Sequence, residues 1–187
     1  MATYEKPIEF RRYIQILEAH DKAYRIDLPY KRNELEPVLS AATIDLHYGT
    51  LHKNYVDKAL DGTNYEFSLA GAELHNLYFA QFRAPSTSNK PHGASLNLIE
   101  KEYGNYDDFR RTFKEQAITI TGSGWACLTT KGEINTIQNH KSTKGIALII
   151  DMWEHAYILD YDANKEKYVD NFWKIVDWSI VNARIET

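Results

Sequence analysis

The chain has 187 residues, 43% hydrophobic and 26% charged, with a net charge of −4; that suffices for one large domain or two small ones sharing a core and leaves no basic face for nucleic acid. Its single cysteine, Cys127, excludes an internal disulfide or a thiolate metal cluster and fits a reducing compartment. No run approaches the ~18 apolar residues of a membrane span, and the N-terminus lacks a signal peptide's apolar stretch, so a cytoplasmic protein with no membrane or nucleic-acid partner is expected. Aromatic residues reach 13%, with 13 Tyr and 4 Trp, which suits a rigid, dry, partly polar lining as well as an ordinary core.

In chain order, residues 5–24 space Phe10, Tyr13, Ile14 and Leu17 as a helix behind Pro7. Ser40 is placed to cap a helix through AATIDLHYGTLHKNYVDKAL that stops at Asp61-Gly62. A second helix, roughly Leu69 to Phe82, ends before Pro85 and completes a helical hairpin. PSTSNKPHG, from Pro85 to Gly93, reads as a linker. Two short helical patterns follow, Leu96 to Tyr103 and Phe109 to Ala117, then strand-like WACLTT, a Lys131-Gly132 turn, strand-like EINTIQ and the buried run GIALIID. The last segment, KYVDNFWKIVDWSIV, repeats Val169, Phe172, Trp173, Val176 and Ile180 at helical spacing. The expected fold is α+β: an N-terminal α-helical hairpin followed by a domain with a small three-stranded antiparallel sheet. Its expected divisions are an extension over 1–27, the hairpin over 28–90 and the α+β part over 91–187.

His47 and His75 fall inside the two hairpin helices, on faces whose neighbours three and four positions away are apolar. A buried histidine is most often only a hydrogen-bonded core residue. Here a further source of ligands lies in D-M-W-E-H, where Asp151 ends the apolar run and His155 follows four residues later. A carboxylate at the end of a buried strand is costly unless it is paired or bound to metal. Three imidazoles and one carboxylate suit iron or manganese and would also hold zinc.

The segments LPY and H-Y-G (Leu28 to Tyr30, His47 to Gly49), H-N-L-Y-F (His75 to Phe79), G-S-G-W-A (Gly122 to Ala126) and D-M-W-E-H-A-Y (Asp151 to Tyr157) resemble the iron/manganese superoxide dismutase family in order and spacing over about residues 28–185. The resemblance implies one iron or manganese ion per subunit, held by His47, His75, Asp151 and His155 with a solvent molecule as fifth ligand. It implies disproportionation of superoxide to dioxygen and hydrogen peroxide; zinc has no redox couple for that reaction. Tyr55, eight residues after His47, resembles the gateway tyrosine, whereas His52, five residues on, is expected to point away from His47 and serve structure only. Trp125 and Trp153 are expected to wall the cavity, together with Tyr78 and Phe79.

Within the family, the group that hydrogen-bonds the bound solvent comes either from four residues before the second ligand, here Gly71, or from the central hairpin, here I-Q-N-H. His140 is assigned that role, with Gln138 after a two-residue shift as the alternative. The resemblance further implies a homodimer or homotetramer in which Glu154 reaches the ligand histidine of the other subunit and Tyr157 lies at the interface. Two departures stand out. Leu51 replaces the usual histidine that would bond a tyrosine such as Tyr157 across the dimer, and Lys165, Glu166, Lys167 and Tyr168 replace R-P-x-Y. Lys165 keeps a positive charge that could attract superoxide, without arginine's planar fork. The competing reading is a non-catalytic scaffold with the dismutase fold; a di-iron oxidase would need E-x-x-H pairs, which the sequence lacks.

Overall fold

In the computed structural model, which describes residues 23–187, Ser40 accepts a hydrogen bond at Oγ from the Thr43 N–H at 3.2 Å and opens helix α1. The helix has three consecutive parts: an α-helical turn Ala41–Ile44, a π-helical stretch Asp45–His52 and an α-helical part Lys53–Leu60. It ends at the expected turn, where Gly62 takes φ +81°. The helix expected over residues 5–24, and the 1–27 extension up to residue 22, lie outside the described residues.

Helix α2, Tyr65–Ala80, runs back along α1 and starts four residues before the expected Leu69. Its first turn carries little apolar periodicity, so the pattern in the sequence becomes readable only later. Ala72 packs against Val56 and Ala59 of α1, with Leu69 and Tyr55 beside them. Small residues at Ala70, Gly71 and Ala72, all buried, bring the two helices close.

Helices α3 (Gly93–Tyr103) and α4 (Tyr106–Ile118) lead into the sheet, with Asn105 capping α4 by accepting from the Asp108 N–H at 2.9 Å. Strands β1 (Gly124–Thr129), β2 (Ile134–Gln138) and β3 (Ile146–Asp151) pair antiparallel in the order β2-β1-β3. Every residue of β3 is buried, whereas β2 alternates towards solvent, so the core lies on the β3 side. The register sets Trp125 opposite Asp151. A 3₁₀ turn, Glu154–Ala156, and three short helices follow: α5 (Ile158–Tyr161), α6 (Lys165–Phe172) and α7 (Trp178–Ile185). No helix among the described residues is long and apolar enough to cross a membrane.

One expectation fails in this last region. KYVDNFWKIVDWSIV reads as one helix, but the chain breaks between α6 and α7. The backbone there is paired with the segment after α2: Arg83 N–H donates to Ile175 O at 2.8 Å, Phe82 bridges Val176, and the Asp177 N–H donates to Gln81 O at 2.7 Å. Asp177 then caps α7 by accepting from the Ser179 N–H. Long-range pairing thus overrides a locally helical pattern.

Candidate metal centre

Four elements deliver one polar side chain each to a common point. His47 comes from the π-helical stretch of α1, His75 from α2, Asp151 from the last position of β3 and His155 from the 3₁₀ turn. The Nε2 atoms of His47, His155 and His75 lie 3.1, 3.3 and 3.8 Å from Asp151 Oδ2. One ligand atom from each of the four residues falls within 4.8 Å of all the others. His47, His75 and Asp151 are fully buried, while the His155 side chain keeps 16% of its surface exposed.

Hydrogen bonds fix which atoms face inward. His75 Nδ1 lies 2.6 Å from Gly71 O, so its N–H donates there and the Nε2 lone pair points to the cluster. Asp151 Oδ1 accepts from the Trp153 N–H at 2.8 Å, leaving Oδ2 for the three imidazoles. Those three Nε2 atoms and Oδ2 have no hydrogen-bond partner although all are buried. Burial pushes His47 down to about 4 and, with His47 beside it, holds His75 well below the ordinary histidine range. Burial would raise Asp151, but the adjacent His155 and His47 outweigh it and keep the carboxyl ionised. Three imidazole nitrogens converging on an anionic oxygen, with His47 and His75 neutral, fit a single cation of the iron, manganese or zinc kind.

An aromatic shell encloses this cluster. Trp125, fully buried, meets His75 edge-on at 5.0 Å, and Phe79 and Tyr78 lie 4.8 and 5.2 Å from the His47 ring. The Tyr78 hydroxyl is shared with that of Tyr168 at 2.8 Å. Trp153 stacks on His140 at 4.6 Å, and Trp125 Nε1–H donates to His140 Nδ1 at 3.2 Å. Tyr55 stands edge-on to His140 at 4.6 Å and 5.3 Å from His75. Gly71 makes room for both rings: a Cβ there would lie 3.0 Å from Tyr55 and from His140. Gln138 instead donates to Ser123 O and Thr121 O, just ahead of β1. Phe67, which the sequence reading passed over, packs on His140 at 4.8 Å. It lies eight residues before His75 on α2, and that interval could have flagged it.

His52 does not point away from the site. In a π-helix the repeat is i to i+5, so residue 52 is carried round to the side of residue 47. Its ring is fully buried and stacks on His75 at 5.4 Å and Phe79 at 5.8 Å. The expectation assumed 3.6 residues per turn, which fails where the helix is wound more loosely.

Away from the cluster, Glu154 is exposed beside His155, and Tyr157 is buried with its ring stacked on Tyr168 at 5.3 Å. Leu51 is partly exposed on α1. The Lys165 ammonium donates to Ile120 O at 2.9 Å and so holds a loop as well as carrying charge.

Two family models match the chain. One described as iron/manganese superoxide dismutases, C-terminal domain, covers residues 91–184, and one described as the alpha-hairpin domain of the same family covers residues 23–63. An iron superoxide dismutase of Bacteroides fragilis is 33% identical over 84% of this chain and 96% of its own. An iron superoxide dismutase of Saccharolobus solfataricus is 35% identical, covering 91% and 97%, and a manganese/iron superoxide dismutase of Porphyromonas gingivalis is 34% identical, covering 85% and 97%.

Proposed function

Because the chain belongs to the iron/manganese superoxide dismutase family, we infer that His47, His75, Asp151 and His155 hold the iron or manganese ion with which it disproportionates superoxide to dioxygen and hydrogen peroxide. The observation that carries this assignment is the meeting of four buried, otherwise unpartnered ligand atoms within 4.8 Å. Bound iron or manganese supplies a one-electron couple able to take an electron from one superoxide and return it to the next.

The protein's own part is to orient, to keep water out and to deliver protons. Gly71 O orients His75, and the Trp153 backbone orients Asp151. Because Trp125 donates to Nδ1 of His140, and burial holds that imidazole down to about 4, the neutral ring carries its proton at Nε2. That Nε2 is buried without a partner and is the donor we assign to the reaction. Burial also raises the Tyr55 phenol, which therefore keeps its proton at neutral pH and can pass it on beside His140. Trp125, Trp153, Tyr78 and Phe79 keep the cluster dry.

We assign the biological unit as a symmetric homodimer or a tetramer built from it. His155 keeps an exposed edge in the single chain and Glu154 is exposed next to it, which suits a carboxylate reaching the partner's ligand histidine. A Glu154→Ala variant should lose dimer and metal together; a stable, fully metallated monomer would contradict the assignment. For the centre itself, the apoprotein is loaded separately with iron and with manganese, its content verified, and superoxide removal measured. Activity with at least one metal, lost in His75→Ala, is expected; full metal content without activity would favour a scaffold role.

A further inference from the structure

The distance between two of the ligands is set by elements far apart in the chain. His75 lies on α2 and Asp151 at the end of β3, and β3 is an edge strand. Its outward backbone groups therefore require partners that no fourth strand among the described residues provides. At Ile149, two residues before Asp151, that partner is a side chain. Gln81, fully buried just past the end of α2, accepts from the Ile149 N–H at Oε1 (3.1 Å) and donates from Nε2 to Ile149 O. Its carboxamide makes both bonds that a neighbouring peptide unit would make.

Arg184 of α7 closes the arrangement. Nη1 donates to Gln81 Oε1 at 3.2 Å and to Ala147 O of β3 at 3.1 Å, and Nη2 donates to Leu77 O of α2 at 2.8 Å. Leu77 is two residues beyond His75. One buried guanidinium therefore bonds helix and strand, each within a few residues of a ligand, and its planar fork sets the angle between them. The Asp177 N–H, donating to Gln81 O, fastens the same corner from the backbone.

We propose that Gln81 and Arg184 are positioning residues for the metal centre: they act as a clamp that fixes His75 against Asp151, and thereby set how firmly the ion is held and the symmetry of its surroundings. Neither side chain is a ligand. Outer partners that orient ligands change metal affinity about 10- to 100-fold when removed. The inference rests on His75 and Asp151 being ligands.

The test uses the full-length, metal-loaded protein and its Gln81→Leu and Arg184→Met variants. The readouts are the rate of iron loss to a chelator and the electron paramagnetic resonance spectrum of the ferric form. Ile99→Val, a core change on α3 that touches none of the clamp's hydrogen bonds, serves as the control for a general loss of stability. The expected result is iron loss about 10-fold faster or more in both clamp variants with a changed spectrum, while the control keeps the parental spectrum and rate. Should Gln81→Leu not fold, Gln81→Glu, which keeps the acceptor oxygens but loses the bond to Ile149 O, is held to the same criteria. Parental or control-like behaviour in the clamp variants overturns the proposal. Unchanged iron binding in His75→Ala would instead overturn the ligand assignment beneath it.

Discussion

The helical hairpin and the sheet-bearing half each give the centre two ligands, by opposite means. In the hairpin, His47 and His75 project from the middles of long helices, and the helical repeat decides what else shares their face. That repeat is altered in α1, where the π-helical stretch Asp45–His52 turns His52 inward as well. In the sheet half, Asp151 and His155 sit where regular structure stops, at a strand end and in a 3₁₀ turn. Their positions depend on what holds those ends: the Trp153 N–H on Asp151, and Gln81 with Arg184 on β3. Helix interiors supply stiffness through local hydrogen bonds, whereas chain ends supply freedom of direction and must be fixed from a distance.

The largest expected effect is on the sheet side. Asp151→Asn keeps the shape but removes the anion that three imidazoles face, so metal content by elemental analysis should fall to background and superoxide removal with it. Retention of metal would mean the hairpin histidines bind by themselves. On the hairpin side, acid should do the damage. Burial holds His52 down to about 3 and His47 to about 4, so both are neutral when folded and gain protons on unfolding. Their contribution to stability is whole above the unfolded value near 6.5 and is lost as pH falls from there towards the folded values. For His52 the loss between pH 7 and 4.5 is roughly 2–3 kcal/mol. Urea unfolding of the metal-free protein should show it, and His52→Phe should flatten the curve by that amount.

A smaller effect separates packing from chemistry where the two halves meet. Gly71→Ala gains about 1 kcal/mol of helix propensity, but its methyl would press on Tyr55 and His140 at 3.0 Å. Thermal stability should stay within ~1 kcal/mol of the parent while the rate falls several-fold; an unchanged rate would remove those two rings from proton delivery. Tyr78→Phe breaks the hydroxyl pair with Tyr168 and should cost about 1 kcal/mol in unfolding experiments. Least of all, Lys53→Ala, which breaks an exposed ion pair with Asp57 on the outer face of α1, should change stability by no more than ~0.5 kcal/mol.

The hairpin and the three strands were legible from local signals, and the four candidate ligands became a set only through the resemblance to the dismutase family. The local signals are short-range: Ser40 as cap, Gly62 after the helix, GIALIID as a buried run, and Asp151 with His155 four residues on. Tertiary structure alone decided the inward turn of His52, the break between α6 and α7 and the use of Gln81 and Arg184. His52 turns inward because of the looser winding of the helix that carries it. For the break and for Gln81 with Arg184 the cause is a different one: buried backbone and side-chain hydrogen-bonding groups must find partners, and here those partners lie up to 107 residues away. Local periodicity carries no record of such partners.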